Sequence, residues 1–325
     1  MTDRRHVREY GPEDRRAWDD FVRSGKCSSF LHERGYMEYH RERFRDASLV
    51  VLDGDQLIAV MPANQVDSKS VDSHGGLTYG GLVVRRGADF AEVVEIFGQL
   101  LEYLASKGVT DLRYRRIPTF YEAVPNDEIA HCAFVLEALR PRMAAGVVIA
   151  LSDRLPYDSR RARNLRRARR GGLRIIEGDL ATFWKEVLEP RLASRHGATP
   201  VHSLGEIEQL AHSFPDNIRQ YTVLHDGRAV AGATIYETPL VARAQYIAGT
   251  DEGLRGAALD FLFAWLLEER YTTKRYFDLG TSNTSDGQIS GGLLAWKEGF
   301  GGRVYVQDFY DFKTSGSAAL AGSIA

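Results

Sequence analysis

The sequence has little of several features that mark particular protein classes. Its only two cysteines, Cys27 and Cys132, lie far apart without paired spacing, which favours two reduced, buried thiols over a disulfide or a zinc site. No stretch approaches the roughly 18 apolar residues of a membrane-spanning helix, and the N-terminus has no apolar core like that of a secretion signal. The formal net charge is −2, which draws the whole chain neither to nucleic acid nor to anionic membranes. We therefore expect a soluble cytoplasmic protein with no metal, membrane or nucleic-acid partner.

The sequence does contain an internal repeat. Residues 48–65 and 221–238 each show two alternating apolar runs joined at an Asp-Gly pair, which is the pattern of a β-hairpin. A long apolar helix and a short strand are predicted after each hairpin, at 89–106 and 111–115, and at 255–270 and 276–279. The second copy lies roughly 170 residues after the first, which indicates a duplicated domain. We predict two α+β domains, 1–153 and 154–325.

Two further segments are unusual in composition. Residues 159–170 contain seven arginines in twelve positions and are predicted to form a helix. A solvated face is the ordinary role of such a helix, while attraction of phosphates or contact with RNA is the alternative. The last residues, 314–325, are almost all small and are predicted to be disordered.

The two copies differ where the chain enters the long helix. In the second copy, residues 249–258 form a small-residue turn into the helix, with Arg255 able to meet a phosphate. In the first copy, Asp89 stands at the predicted N-cap, where its carboxylate would compete with a phosphate. The C-terminal half is therefore the better candidate for a phosphate-bearing ligand.

These features resemble a known fold. Helix, hairpin, strand, helix and strand is the element order of the GCN5-related N-acetyltransferase (GNAT) fold. We predict two tandem GNAT-type domains, each a mixed, largely antiparallel sheet with flanking helices. Segments 276–282 and 291–302 resemble the C-terminal half of tandem GNAT proteins of the Fem type. Segments 36–44 and 73–81 resemble the nucleotide-sugar N-acyltransferases that acylate amino-deoxyhexoses for bacterial surface glycans.

The resemblance implies a division of labour between the domains. The N-terminal domain would hold a nucleotide-linked, often dTDP-linked, amino sugar, and the C-terminal domain would hold an acyl-CoA carrying an acetyl or short hydroxyacyl group. The amide would form by direct attack in a ternary complex, in a cleft between the domains, as a step of surface polysaccharide (O-antigen) synthesis. Two alternatives stay open: a Fem-type peptidyltransferase that uses aminoacyl-tRNA, and a non-catalytic GNAT-fold binding protein.

Candidate site residues follow from the chemistry of amide formation and from the resemblance. His74, in a glycine-rich segment, is the candidate general base, although the leaving thiolate of coenzyme A could take the proton instead. Tyr79 and Lys297 are the candidate stabilisers of developing negative charge. The candidates for binding the amino-sugar substrate are Arg34, Tyr39, His40, Arg43, Ser73, Phe120 and Tyr121. The candidates for binding acyl-CoA are Tyr246, Ile247, Ala248, Gly253, Arg255, Gly256, Ala257 and Ser282.

Overall fold

The computed structural model describes residues 5–284 and 286–323, and they form an α+β structure. The strands are β1 Arg5–Glu9, β2 Arg45–Asp46, β3 Leu49–Asp53, β4 Gln56–Met61, β5 Asn64–Gln65, β6 Ser70–Asp72, β7 Val83–Val84, β8 Asp111–Arg115, β9 Leu139–Ala150, β10 Arg174–Glu177, β11 Ile218–His225, β12 Arg228–Glu237, β13 Val241–Gly249, β14 Tyr276–Thr281 and β15 Arg303–Lys313. The helices are α1 Arg15–Ser24, α2 Arg34–Met37, α3 Phe90–Ser106, α4 Glu128–Val135, α5 Ser159–Ala168, α6 Leu180–Phe183, α7 Glu189–His196, α8 Leu204–Ser213, α9 Asp251–Arg255, α10 Ala258–Trp265, α11 Gly291–Glu298 and α12 Ser317–Ala321.

The chain divides into two compact units. The first unit comprises Met1–Met143 and Val306–Ala325, and the second comprises Ala144–Tyr305. The predicted boundary at residue 153 lies within the second unit, and the C-terminal segment from Val306 belongs to the first unit. Phe312 and Leu320 are buried in the core of that unit.

The prediction that residues 314–325 are disordered is therefore wrong for most of the segment. A 3₁₀ turn, Thr314–Gly316, leads directly into α12. Small residues allow α12 to lie close to α3, where Gly98 faces Leu320. Residues 324 and 325 lie outside the described part of the chain.

The first unit contains two groups of paired strands. One is an antiparallel sheet in the order β1-β3-β4-β7. The other follows the order β15-β8-β6-β5-β2, in which β8 and β6 are parallel and the other pairs are antiparallel. The apolar face of α3 supplies Phe97, Leu100 and Leu101 to the core, so the predicted helix after the first hairpin is confirmed.

The second unit contains one sheet in the order β10-β11-β12-β13-β14-β9. All its strand pairs are antiparallel except β13 with β14, which is parallel. Leu262 and Phe263 of α10 lie in the core beside the sheet. The predicted largely antiparallel α+β architecture is thus confirmed.

Both predicted hairpins are present. In the second, His225 pairs with Arg228 around Asp226 and Gly227, whose φ angles of 48° and 79° give the turn the left-handed conformations that a two-residue hairpin favours. In the first, Asp53 pairs with Gln56, so the two central turn residues are Gly54 and Asp55, one position later than the predicted Asp-Gly pair.

No helix in the described ranges is long and apolar enough to cross a membrane. Cys27 and Cys132 are both buried free thiols in the first unit.

Candidate functional site

The second unit has a gap in strand pairing at one edge of β13. The parallel pairing of β13 with β14 covers three residue pairs and ends with Arg243 opposite Asp278. On the other side of β13, the register with β12 shifts by one residue so that Gln245 is extra, which is a β-bulge. Because β13 continues to Gly249, its last residues extend beyond the paired part of β14 and lead directly into α9.

The turn after β13 brings helix backbone close to the sheet. A Cβ added at residue 253 would lie 2.1 Å from the carbonyl oxygen of Val230, so only glycine fits there. The continuous helix predicted over 255–270 is wrong at its start, since α9 ends at Arg255 and Ala257 adopts the left-handed conformation with φ 60° before α10 begins. The break leaves two residues, Gly256 and Ala257, as a turn between α9 and α10.

The helix start in this copy is not free of carboxylates either. Thr250 caps α9 by accepting a hydrogen bond from the amide of Gly253 at 3.0 Å, and the first turn carries Asp251 and Glu252. Glu252 pairs with the His225 ring at 2.8 Å. The predicted contrast with Asp89, which caps α3, therefore cannot rest on a helix start without carboxylates. It has to rest on the turn at Gly256 and on the two arginines beside it, Arg167 of α5 and Arg255 at the end of α9.

A cavity of about 320 Å³ lies over this turn. Two exposed arginines reach it from different elements, Arg167 at the end of α5 and Arg255 at the end of α9, and an Nη atom of Arg167 donates to the carbonyl oxygen of Arg255 at 2.7 Å. Gly253 and Gly256 form part of its wall. Guanidinium groups beside exposed, side-chain-free backbone can bind phosphate oxygens.

The candidate residues on β13 contribute mainly backbone to this region. The Tyr246 side chain turns to Trp184, with ring centroids 4.9 Å apart, and its hydroxyl bonds to the His202 ring. Ile247 packs against the core beside α10, and Ala248 is buried. These side chains thus have partners inside the unit, while the β13 backbone lies along the gap in strand pairing.

Ser282 directly follows β14, the strand parallel to β13, and the ammonium group of Lys297 reaches the end of the same strand from α11. Lys297 is 3 % exposed, and its Nζ donates to the carbonyl oxygens of Gly280 and Thr281 at 2.9 and 2.5 Å. Burial lowers the pKa of Lys297 to about 8, against the opposing effect of Asp278. Ser282 is fully buried, and its Oγ has no hydrogen-bond partner among the described residues.

A buried polar cluster holds the end of β14. Asp278 is inaccessible to solvent, pairs with Arg243, and accepts hydrogen bonds from the Tyr305 hydroxyl at 3.1 Å and the Gly280 amide at 2.7 Å. Burial raises the pKa of Tyr305, so its hydroxyl keeps its proton and donates. These bonds fix the backbone at the end of β14, where carbonyl groups accept hydrogen bonds from Lys297.

In the first unit, His74 lines two cavities, of about 370 and 450 Å³. Its φ of 86° is in the left-handed region, a strain of about 1–3 kcal/mol that tends to persist at functional sites. Its Nδ1 accepts a hydrogen bond from the Gly76 amide at 3.3 Å. Burial, and then His40, lower the pKa of His74 to about 3, so at neutral pH the ring is neutral, accepts hydrogen bonds and is a weak base.

Aromatic rings surround His74. His40 is buried and stacks on Tyr39, with centroids 4.1 Å apart, and lies nearly parallel to His74 at 5.4 Å. Burial lowers the pKa of His40 and raises that of Tyr39 to about 12. Arg43 is exposed beside the Tyr39 ring, 5.9 Å from its centroid. The structure thus brings Tyr39, His40 and His74 together.

Arg34 also lines the larger of these cavities, but its guanidinium is used within the fold. It pairs with Glu38 at 2.9 Å and with Asp46, and it lies 3.8 Å from the centre of the Tyr10 ring. It also donates to the Ser48 hydroxyl at 3.2 Å. With two carboxylates already beside it, Arg34 has little net charge to offer a diphosphate.

The remaining candidates lie beneath these cavities or beside them. Tyr79 is buried and packs on Tyr121, with ring centroids 5.0 Å apart, and Tyr121 packs on half-exposed Phe120 at 4.9 Å. Ser73 lines the smaller cavity, and its hydroxyl oxygen accepts a hydrogen bond from the Arg115 amide at 2.8 Å. Phe120 is therefore the candidate here with ring surface open to a ligand.

The sequence interpretation missed the charged wall of the smaller cavity. Asp72, Arg113, Arg115 and Arg142 line it together with Ser73 and His74. The available signal was the alternation of Arg113 and Arg115 on one predicted strand, which places both side chains on the same face. Within the described residues, no group of three or more His, Cys, Asp or Glu side chains is arranged to hold a metal ion.

The low pKa of His74 predicts an acid-sensitive fold. A histidine with a pKa near 6.5 in the unfolded chain and about 3 in the folded one stabilises the fold above pH 6.5 and destabilises it as the pH falls toward 3. Lowering the pH from 7 to 5 should therefore cost about 2 kcal/mol through His74 alone. Urea unfolding at both pH values should show this loss of stability in the wild type. In His74→Gln the loss between pH 7 and pH 5 should be smaller by about 2 kcal/mol.

The matched control for this experiment is His212→Gln, which changes an exposed histidine on α8. It should keep the pH dependence of the wild type. An equal pH effect in the wild type and in His74→Gln would contradict a buried neutral imidazole at position 74.

Comparison with known proteins identifies the fold. No protein-family model and no curated protein sequence matches the chain. Among solved structures it is similar to FemX, with a TM-score of 0.65 and 11 % identity over 95 % of this chain and 97 % of that one. It is also similar to the C-terminal domain of a protein from Agrobacterium fabrum described as a lysylphosphatidylglycerol synthetase, with a TM-score of 0.61 and 16 % identity over 95 % of each chain.

A third similar structure is a tandem GNAT protein from the clavulanic acid biosynthesis pathway. Its TM-score is 0.54, with 14 % identity over 95 % of this chain and 98 % of that one. At such identities the likeness concerns the fold alone. The chain therefore has the tandem GNAT fold that its sequence predicts.

Proposed function

We propose that this protein is an N-acyltransferase that transfers a short acyl group, acetyl or hydroxyacyl, from acyl-CoA to the amine of a nucleotide-linked, dTDP-type amino-deoxy sugar. The observation that carries the proposal is the strand-to-helix junction of the second unit. There the pairing of β13 with β14 ends, and a turn containing Gly253 and Gly256 lies under Arg167 and Arg255. Such a junction accommodates a pyrophosphate beside an extended chain.

The residues around the end of β14 would serve the reacting thioester. Acyl-CoA supplies an activated carbonyl carbon; the amine forms the new C–N bond as the C–S bond breaks, and the departing sulfur receives the amine proton. This route needs no strong protein base, which suits a His74 with a pKa of about 3. Lys297, protonated below its pKa of about 8, would offer positive charge to the carbonyl oxygen.

The acceptor is assigned to the first unit by two features. Segments 36–44 and 73–81 carry the resemblance to nucleotide-sugar N-acyltransferases. Both segments supply lining residues to the cavities at His74, among them Phe44, Ser73 and Gly75. A sugar held there would have the neutral His74 ring as a hydrogen-bond acceptor.

Calorimetry with coenzyme A tests the donor half of the proposal. The wild type should bind it, and Arg255→Gln should bind about tenfold more weakly, since one charge-assisted hydrogen bond at an exposed site is worth about 1.5 kcal/mol. Arg163→Gln removes the same charge from an exposed position of α5 that does not line the cavity, and it should bind like the wild type. Absence of binding to the wild type would overturn the proposal and favour a non-catalytic binding protein.

A second candidate function, transfer from aminoacyl-tRNA, is favoured by one observation. α5 and the turn after it carry several exposed arginines for which no carboxylate partner is found among the described residues: Arg160, Arg163, Arg166 and Arg170. A basic face of this kind can contact an RNA backbone. Tight tRNA binding that weakens steeply with salt, together with no affinity for coenzyme A, would replace the first function with this one.

A further inference from the structure

One sheet face of the first unit carries a cross-strand row of charges. On the central strand β8, Arg113 lies opposite Asp72 of β6 on one side and opposite Asp311 of β15 on the other. The Arg113 Nη1 to Asp72 Oδ1 distance is 3.8 Å, an ion pair without a hydrogen bond. The row forms one wall of the 370 Å³ cavity at His74.

A second row holds two guanidinium groups against one aromatic ring. Arg115 lies opposite Phe309 in the register of β8 and β15. The Cζ atoms of Arg115 and Arg142 lie 5.4 and 4.7 Å from the centre of the Phe309 ring. Arg142 is exposed. Burial, and to a smaller extent the Arg142 charge, lower the pKa of Arg115 against the opposing effect of Asp72. An anion between the two guanidinium groups would relieve their repulsion.

Asp72 complements this positive wall. Its Oδ1 is buried and has no hydrogen-bond partner among the described residues. Burial raises the pKa of Asp72 despite Arg113, which indicates that the carboxylate lacks sufficient compensation. A ligand ammonium or hydroxyl group could donate to this oxygen, beside the His74 ring in the same cavity.

We propose that this cavity, the arginine pocket lined by Asp72, Arg113, Arg115, Arg142 and Phe309, binds an amino sugar phosphate, with the phosphate between Arg115 and Arg142 and the amine at Asp72. The inference rests on the proposed function for the identity of the acceptor and deepens it by assigning the residues that recognise it. The Nη1 of Arg115 also donates to the Leu77 carbonyl oxygen, which fixes this guanidinium in place. The two guanidinium groups together suit the several oxygens of a phosphate or diphosphate group. The half-buried Asp72 carboxylate, whose Oδ1 has no hydrogen-bond partner among the described residues, would distinguish an amino sugar from its hydroxyl counterpart.

Paired ligands and paired variants of the full chain test the assignment by calorimetry. Glucosamine 1-phosphate and glucose 1-phosphate differ in the amine alone. Arg142→Gln should weaken both by roughly tenfold or more, because it removes a charge-assisted contact to the phosphate. Asp72→Asn should weaken glucosamine 1-phosphate by about tenfold and leave glucose 1-phosphate unchanged or tighter.

Arg86→Gln is the matched control, since it removes one exposed arginine of the same unit that does not line the pocket. It should bind both ligands like the wild type. Any of three results would overturn the assignment: no binding at millimolar ligand, unchanged affinity in Arg142→Gln, or an equal effect of Asp72→Asn on both ligands. If succinate bound as tightly as the sugar phosphates, and Arg142→Gln weakened its binding by the same factor, the assignment of the pocket to a phosphate ligand would be overturned. These titrations contain no coenzyme A, so a failure of the proposed acyl-CoA binding would not change their result. A failure of the sugar phosphate to bind would likewise not change the result of the coenzyme A titration.

Discussion

Replacing Lys297 with methionine is expected to lower kcat for acyl transfer by about 10²–10³, with little change in KM for acyl-CoA. The reason is that a buried ammonium group acts on charge that develops in the transition state and contributes little to binding of the ground state. Lys297 is 3 % exposed and is held by the carbonyl groups of Gly280 and Thr281, so its position is fixed before the reaction. Steady-state kinetics with acetyl-CoA and an amino sugar nucleotide measures both constants.

The pH dependence of kcat separates the possible roles of this lysine. If the charged ammonium group acts, kcat should fall as the pH rises through the Lys297 pKa of about 8. A general base would give the opposite sign, because the neutral amine would then be the active form. A rising profile in this range would contradict the electrostatic role.

Lys274→Met is the matched control, because Lys274 also donates to a backbone carbonyl oxygen, that of Thr238, at 2.7 Å. It should retain wild-type kcat. Unfolding curves for both variants show whether a loss of activity comes from a loss of structure. Unchanged kcat in a folded Lys297→Met protein would remove this residue from the reaction.

The sequence predicted best those features that depend on neighbouring residues. The two hairpins and helix α3 are local patterns, and all are present. The break between α9 and α10 was missed, because Ala257 adopts a left-handed conformation that its side chain does not favour. Gly253, at the start of the same turn, packs closely on β12, which is a tertiary contact that the local pattern does not reveal.

The arginine pocket could not be predicted from sequence for a related reason. Its residues come from four strands, and they meet only because β6, β8 and β15 are neighbours in the sheet. Asp72 and Asp311 are far apart in the chain but lie on either side of Arg113. The alternation of Arg113 and Arg115 on β8 could be read from the sequence, whereas the identity of the neighbouring strands could not.

The arginine-rich helix α5 shows a similar limit. Its composition predicts a solvated face, yet Arg161 is 5 % exposed and pairs with buried Asp260 of α10. Asp260 also accepts hydrogen bonds from Asn164 at 2.7 Å and from Trp296 at 3.1 Å. This one arginine therefore anchors the helix, while most of the others face solvent.

Replacing Asp260 with alanine is expected to lower the free energy of unfolding by about 3–5 kcal/mol, because the Arg161 guanidinium would remain buried without its partner. The double variant Arg161→Met with Asp260→Leu should recover most of this loss, since apolar side chains can replace a buried ion pair at little cost. Urea unfolding measures each value. Glu268→Ala is the control: it removes the partner of Arg169 at 3.1 Å and of Arg154 at 3.6 Å, and for each of these surface pairs a loss of at most about 1 kcal/mol is expected.

The same pair bears on the phosphate junction, because Asp260 lies in the first turn of α10. A free carboxylate there would repel an incoming phosphate, as Asp89 would at the start of α3. Arg161 neutralises the Asp260 charge from within the fold. A ligand then meets Arg167 and Arg255, together with Glu252, which is paired with His225. Arg161→Met alone should therefore weaken coenzyme A binding although Arg161 does not line the cavity, and the double variant should restore it. Wild-type affinity in a folded Arg161→Met protein would show that the Asp260 charge does not reach the junction.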